Sequence, residues 1–299
     1  MNGNSDLPLV EIEHLDHLWL QVGGTLCNLT CQHCFISCSP HNRSFGFLSL
    51  AEVRRRLEES VRLGVKEYYF TGGEPFLNPE MTDILIETLA YGPATVLTNA
   101  TVLRDEWLVR LAAAEAASVY SLEFRVSIDG CSAETNDPIR GAGTFERALR
   151  GVQKLVQHGF LPIITAARVW PLEKEEETIA GFIRVFQEIG YSRPRLKILP
   201  TLQLGAEERR THGYLPNERV TAEMLAGYDV SQLVCHHSRL VSDRGVHVCP
   251  ILIESPDSLL GQTLSESLRP FALSHGACTT CYQYGAICSN SPSVAGAAP

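Results

Sequence analysis

With 299 residues, 44 % of them hydrophobic and 20 % charged, the chain has the composition of a globular protein with a sizeable core. A net charge of −9 with no basic run offers no electrostatic footprint for nucleic acid or an anionic membrane, and neither is expected as a partner. The polar, acidic start lacks the basic and apolar regions of a signal peptide, and no apolar run is long enough to span a bilayer, so a cytoplasmic location is expected.

After an N-terminal lead over 1–16, the stretch 17–200 alternates short apolar runs with amphipathic ones. A strand is expected over 17–22. A helix follows over 49–63, where Val53, Leu57 and Val61 recur every four residues, Ser49 and Glu52 form a capping box, and Gly64 ends the turn. The next strand covers 67–70, and Asn78 with Pro79 then opens a helix that contains Ile84, Leu85 and Leu89. Strands over 94–98, 122–128, 161–169 and 195–199 alternate with helices over 106–115, 145–158 and 176–189, the last bearing Ile179, Phe182, Ile183 and Phe186. Six strand–helix units imply parallel strands with right-handed crossovers. The expected fold is α/β, a partial (β/α)6 TIM-like barrel, since a closed eight-unit barrel needs about 250 residues. Residues 201–234 read as a polar, turn-rich linker. Residues 235–290 read as a small cysteine-rich domain that needs a metal or cluster in place of a large core, and 291–299 as a disordered tail.

Cytoplasmic thiols stay reduced, so clustered cysteines read as metal or cluster ligands rather than disulfides. The ten cysteines fall into Cys27, Cys31, Cys34 and Cys38 near the start, Cys131 alone, and Cys235, Cys249, Cys278, Cys281 and Cys288 near the end. This division points to two sites. Cys27, Cys31 and Cys34 form a C-x3-C-x2-C pattern just after the first strand. Three thiolates on a 4Fe–4S cluster leave one iron open, and the carboxyl end of a parallel strand is where such folds bind ligands.

The motifs that follow extend the pattern. Tyr69, Phe70, Thr71, Gly72, Gly73, Glu74 and Pro75 end the second strand, and Thr98 and Asn99 end the third. Val126, Ser127, Ile128, Asp129 and Gly130 end the fourth, with Arg140 and Gly141 shortly after. In order and placement, this set resembles the radical S-adenosylmethionine (SAM) superfamily. The resemblance implies a 4Fe–4S cluster on Cys27, Cys31 and Cys34, with the amino and carboxylate groups of SAM at its open iron. Gly72 and Gly73 would approach the SAM amino group through their backbones, and Glu74 would accept hydrogen bonds from it. Ser127 and Arg140 are candidates for the SAM carboxylate, Asn99 and Asp129 for ribose hydroxyls or substrate, and His33 for a place beside the adenine. An electron from the cluster would cleave SAM to methionine and a 5′-deoxyadenosyl radical, which takes a hydrogen atom from substrate. Blander readings stand beside these. Cys38 completes a four-thiol zinc site in one, although that leaves the glycine and Asp129 motifs unexplained. Asn99 reads equally as a turn residue and Arg140 as a surface arginine. Cys38 is otherwise a spare thiol in the 37–40 loop, and Cys131 a small buried hydrophobe.

The second group resembles the twitch or SPASM extensions of the same superfamily, which hold auxiliary 4Fe–4S clusters. Five thiols suffice for one cluster, with Cys235, Cys249, Cys278 and Cys281 as expected ligands and Cys288 as the alternative fourth; a four-cysteine zinc site is the competing reading. The expected function is a radical SAM enzyme, an oxidoreductase or a related modifying enzyme, with a flavodoxin- or ferredoxin-type electron donor. No catalytic side chain is singled out. The short N-terminal lead leaves no room for a leader-peptide-binding domain, which favours a small polar substrate. A peptide-modifying maturase is the alternative, and an iron–sulfur electron-transfer protein without SAM chemistry is the alternative from another class.

Overall fold

The computed structural model describes residues 7–285. In chain order its elements are β1 (Leu9–Val10), β2 (His17–Leu20), α1 (Leu50–Arg62), β3 (Glu67–Phe70), α2 (Met81–Thr88), β4 (Ala94–Thr98), α3 (Asp105–Ala117) and β5 (Leu122–Ser127). There follow α4 (Ala133–Arg140), α5 (Thr144–Gln157), β6 (Ile163–Ala167), α6 (Glu175–Glu188), β7 (Arg195–Leu199), α7 (Gly205–Thr211) and α8 (Ala222–Leu225). The chain ends with β8 (Ser238–Ser242), β9 (Gly245–His247), β10 (Leu259–Gly261), β11 (Phe271–Ala272) and α9 (Gly276–Tyr284). The tail over 291–299 and Cys288 lie outside the described residues.

The six expected strands pair in parallel in chain order, β2 to β7, each joined to the next through at least one helix. Strands covered on both faces need apolar residues throughout. Tyr68, Tyr69 and Phe70 of β3 are all fully buried, as are Leu18 and Leu20 of β2. Tyr68, Phe70, Leu18 and Leu20 join helix residues such as Leu57, Ile84, Leu108 and Val152 in one continuous core, while Tyr69 packs with Trp19 in a second cluster that includes Cys27. The sheet order β10-β9-β8-β2-β3-β4-β5-β6-β7 leaves β10 and β7 as edges, so the sheet does not close on itself. The fold is α/β with a mostly parallel central sheet, consistent with a partial TIM barrel.

Local differences from expectation have simple causes. Val61 of α1 is 59 % exposed, while Ser60 is fully buried and exchanges a 2.8 Å hydrogen bond with Tyr68. Eight residues of α-helix rotate well past two full turns, so Ser60, not Val61, lies in line with Val53 and Leu57. Half of the capping box forms: Ser49 accepts from the Glu52 N–H, but the Glu52 carboxylate turns to Arg55 and Arg56. Asn78 accepts from the Glu80 N–H, yet its amide also donates to Val22 O and Leu48 O, and the helix starts at Met81. Ile183 of α6 is 40 % exposed. The loop after β5 holds an unforeseen helix, α4.

Residues 201–234 carry α7 and α8 as well as turns. The cysteine-rich segment is physically continuous with the barrel: β8 pairs in parallel with β2, and β9 and β10 follow antiparallel. The N-terminal lead is tied to the same region, because β1 pairs with β11 and Asp16 N–H donates to His237 O. Among the described residues no helix is long and apolar enough to cross a membrane.

Candidate active site and cysteine centres

The first cysteine group occupies the loop that leaves the carboxyl end of β2. It is held there by contact with the loop after β3. Gly72 has φ +147°, and a Cβ on it would lie 2.6 Å from Gly23 Cα. A Cβ on Gly73 would lie 2.1 Å from Leu26 O and 2.9 Å from Cys27 Cβ. Two backbone hydrogen bonds close the seam, Gly73 N–H to Gly24 O at 2.9 Å and Glu74 N–H to Leu26 O at 3.0 Å. The absent side chains at 72 and 73 therefore let the cysteine loop dock on β3.

Cys27, Cys31 and Cys34 line one cleft of about 1420 Å³, part of it open to solvent. Gly72, Gly73, Asn99, Ser127, Arg140 and His33 line it as well. Its floor adds Trp19, Leu97, Arg125 and Thr165, and its far wall Phe35 and residues 199–202. Each sulfur meets a polar hydrogen: the Leu29 N–H at 3.4 Å from Cys27 Sγ, the Cys38 N–H at 3.3 Å from Cys34 Sγ, and Arg140 Nη1 at 4.0 Å from Cys31 Sγ. Burial pushes the Cys27 thiol up to about 12 and raises Cys31. Cys34 falls to about 6, chiefly through a hydrogen bond from Cys38.

Two of the expected site residues turn away from the cleft. Glu74 is fully buried, and its carboxylate accepts from Thr98 Oγ1 at 2.7 Å, Phe76 N–H at 3.1 Å and Asn99 N–H at 2.8 Å. Burial raises its pKa to about 7. Glu74 thus ties the ends of β3 and β4 together. Asp129 is 1 % exposed and takes His33 Nε2 and Arg140 Nε, each at 2.6 Å, on Oδ2 and the Ala167 N–H at 2.7 Å on Oδ1. Burial alone would raise its carboxyl, but Arg140 and His33 outweigh that and hold it well below the usual carboxylate range. It orients His33 and Arg140, which do face the cleft, and with them the cysteine loop, since Gln32 N–H also donates to Ile139 O. Asn99 donates to Asn28 Oδ1 and, at 3.8 Å, to Cys27 Sγ, and accepts from Thr101; it braces the same loop. Ser127 sits 3.5 Å from Thr165 across β5 and β6.

Cys38 was read from the sequence as the fourth thiol of a zinc site or as a spare thiol in the 37–40 loop. It is 6 % exposed and lines the same cleft. Cys131 is half-buried against Gly181 of α6, as a small hydrophobe.

The second group assembles from three places. Cys235 lies in the single turn Val234–His236, Cys249 just beyond β9, and Cys278 and Cys281 three apart on one face of α9. All four line a cavity of about 370 Å³ whose other walls are apolar. Each thiol is raised by burial, Cys278 and Cys281 to about 12. Arg239 of β8, also unforeseen, is fully buried beside them. Its guanidinium donates to the carbonyls of Cys235, Ser238, Ser267 and Arg269, and its charge acts on Cys235 and Cys249. Among the described residues no group of three or more His, Cys, Asp or Glu side chains closes on a single metal ion.

Both donor sets fit an anionic thiolate cluster: soft sulfur ligands, N–H groups aimed at sulfur, and a buried guanidinium beside each. Comparison with known proteins accords with this chemistry. A 135-residue stretch is 33 % identical to the mycofactocin maturase MftC of Mycobacterium ulcerans, covering 45 % of this chain and 35 % of that protein. The AdoMet-dependent heme synthase of Methanosarcina barkeri is 37 % identical over 136 residues, 45 % of this chain and 37 % of that one. The chain thus spans little more than a third of the length of these relatives. In overall shape it is similar to Streptococcus suis SuiB bound to precursor peptide SuiA, with a TM-score of 0.61 at 14 % identity over 83 % of this chain and 62 % of that one. The family model for the radical SAM superfamily matches residues 22–183, the stretch that carries the cysteine loop, the glycine pair and the Asp129 network, and the chain belongs to that superfamily.

Proposed function

We propose that the chain uses its cleft for reductive cleavage of SAM and hydrogen-atom abstraction from a polar substrate. One observation carries this reading: the three cysteines of the C-x3-C-x2-C loop, the glycine pair, His33, Ser127 and Arg140 all line one cleft. A 4Fe–4S cluster bound there supplies the electron that splits SAM into methionine and the radical that takes the substrate hydrogen. Cys27, Cys31 and Cys34 hold the cluster. The exposed edges of Gly72 and Gly73 and the guanidinium of Arg140 receive the amino and carboxylate groups of SAM. Asp129 keeps Arg140 and His33 in register and leaves His33 Nδ1 without a protein hydrogen-bond partner. Asn99 and Ser127 offer hydrogen bonds to the ribose or the substrate, and Trp19 and Leu97 exclude water from the floor.

Cys235, Cys249, Cys278 and Cys281 hold an auxiliary 4Fe–4S cluster in the same proposal. Support comes from their shared apolar cavity and from the buried Arg239 guanidinium, whose charge acts on Cys235 and Cys249. The relatives named above include a maturase, an AdoMet-dependent synthase and a fold neighbour that binds a precursor peptide. The cleft suits a polar group presented by a small molecule or by one residue of a peptide. The test is anaerobic reconstitution followed by SAM and dithionite, with 5′-deoxyadenosine measured beside a Cys27→Ala/Cys31→Ala/Cys34→Ala variant. Nucleoside from the wild type alone is the expected result. None from a wild type with a full complement of reducible cluster sinks the proposal in favour of plain electron transfer.

A further inference from the structure

The geometry points to Arg125 as the residue that selects the substrate, by receiving a carboxylate at the floor of the cleft. This rests on the cleft being the site of SAM and substrate, as proposed above, and it names the substrate class: a molecule that carries a carboxylate. His33, Arg125 and Arg140 line the cleft, and among the described residues no Asp or Glu does. The chain as a whole has a net charge of −9, so this positive lining runs against its composition. His33 and Arg140 are both answered by Asp129, at 2.6 Å each. Arg125 is served less well. Its acid, Glu123, lies two residues earlier on β5 and is shared: Oε1 is 3.5 Å from Arg125 Nε, and Oε2 is 3.1 Å from Arg195 Nη1. The strands β2 to β7 carry Glu67 and Glu123 as acids against Arg125, Arg195 and Lys197 as cations. By strand alternation all five share the inward face with Thr71, Ser127 and Leu199, which line the cleft. The interior therefore holds a positive surplus, and Arg125 is the cation of these strands that lines the cleft. The cationic sulfonium of SAM and an anionic thiolate cluster offset each other, so the surplus is left for the substrate.

The surroundings suit that task. Arg125 is 2 % exposed, so a ligand meets it from within the cleft. Its guanidinium carbon lies 5.5 Å from the centre of the Tyr69 ring, which stacks on Trp19 at 4.4 Å, and Leu97 is its register partner on β4. These side chains hold the guanidinium in place and keep water away, where attraction between charges is stronger than in water. The cation is already buried, so little further desolvation opposes binding. A guanidinium grips a carboxylate with two parallel N–H donors. A residue with a structural role alone, set among Trp19, Tyr69 and Leu97, would serve better as an apolar side chain. Arg125 stands two residues before Ser127, roughly 7 Å deeper along β5. A carboxylate held there lies beneath the residues proposed for SAM, and the two ligands fit the cleft together.

The test is fluorine NMR of probe binding to the anaerobically reconstituted full chain, with excess SAM to occupy Arg140 and no reductant. The probes are two acid–amide pairs of different size, fluoroacetate with fluoroacetamide and 4-fluorobenzoate with 4-fluorobenzamide. The wild type is expected to bind the better-fitting acid at least about tenfold more tightly than its amide, the size of a charge-assisted hydrogen bond. Arg125→Gln is expected to bind acid and amide alike. Arg125→Lys keeps the charge but loses the paired donors, and its preference is expected to fall roughly threefold. Equal binding of acid and amide by the wild type in both pairs overturns the inference. So does an Arg125→Gln protein that keeps the wild-type preference, since the anion is then held elsewhere. If Arg125→Gln does not fold, Arg125→Lys decides, and an undiminished preference in it overturns the inference. The same wild-type sample is then given dithionite. Nucleoside formation without an acid preference leaves the SAM reading standing and removes Arg125 alone. An acid preference without nucleoside, from a protein with its full reducible cluster, removes the SAM reading and leaves Arg125 as the anion site of a cleft with another use.

Discussion

Gly73 shows how a motif residue serves a site through the side chain it lacks. Its missing side chain admits Leu26 O and the Cys27 Cβ to distances that no Cβ tolerates. Gly73→Ala is therefore expected to push the cysteine loop off β3, cost roughly 2 kcal/mol of stability as a backbone overlap, and reconstitute with the iron of one cluster missing. Iron analysis together with urea denaturation checks it; full iron content would show that the loop docks independently of this seam. Asp129 and Glu74 teach a related lesson. Both are acids at strand ends and are expected there to face a ligand, yet both spend all their acceptor capacity on protein donors. A buried carboxylate is stable only when paired or hydrogen-bonded, and at these positions the nearest donors belong to the neighbouring strands and to the cysteine loop.

Among the elements, β8 has the largest consequence. Its pairing with β2 brings the second cysteine group to the side of the sheet opposite β7, and its residue Arg239 runs beneath that group. Four backbone carbonyls depend on this one guanidinium. Burial brings its pKa down to about 10, and the neighbouring thiols of Cys235 and Cys249, once ionised, favour its charge. Arg239→Gln is expected to cost about 3 kcal/mol, since it leaves buried carbonyls unpaired and removes the cation that balances the thiolates. Equilibrium denaturation of the reconstituted protein measures this, and, with an auxiliary cluster on these thiols as proposed, the variant should also release iron at lower chelator concentration than the wild type. A change below about 0.5 kcal/mol, the size of an ordinary surface substitution, would sink the argument.

At the scale of the molecule, the two cysteine centres share one sheet. β2 carries the first centre at its end and pairs with β8, which leads into the second; the lead strand β1 closes on β11 beyond it. The reconstituted protein is therefore expected to unfold in a single transition, with visible cluster absorbance and far-ultraviolet dichroism lost together. Two separated transitions in a thermal scan would show that the cysteine-rich segment folds on its own. Strand positions, the helix periods from 49 to 189 and the three cysteines of the first loop were legible in the sequence, because each depends on local chemistry: alternation of apolar residues, capping side chains, and spacing within one short loop. The pairing of β8 with β2 was not, since a strand of five residues carries no mark of its partner. The inward turn of Asp129 and the place of Arg239 were hidden for the same reason. The sequence by itself determined the superfamily, the alternating architecture and the grouping of Cys27, Cys31 and Cys34 in one loop, all of which reside in contiguous motifs. Only the tertiary structure decided which acids face inward and how the second cysteine group joins the barrel, because those depend on which chain segments meet in space.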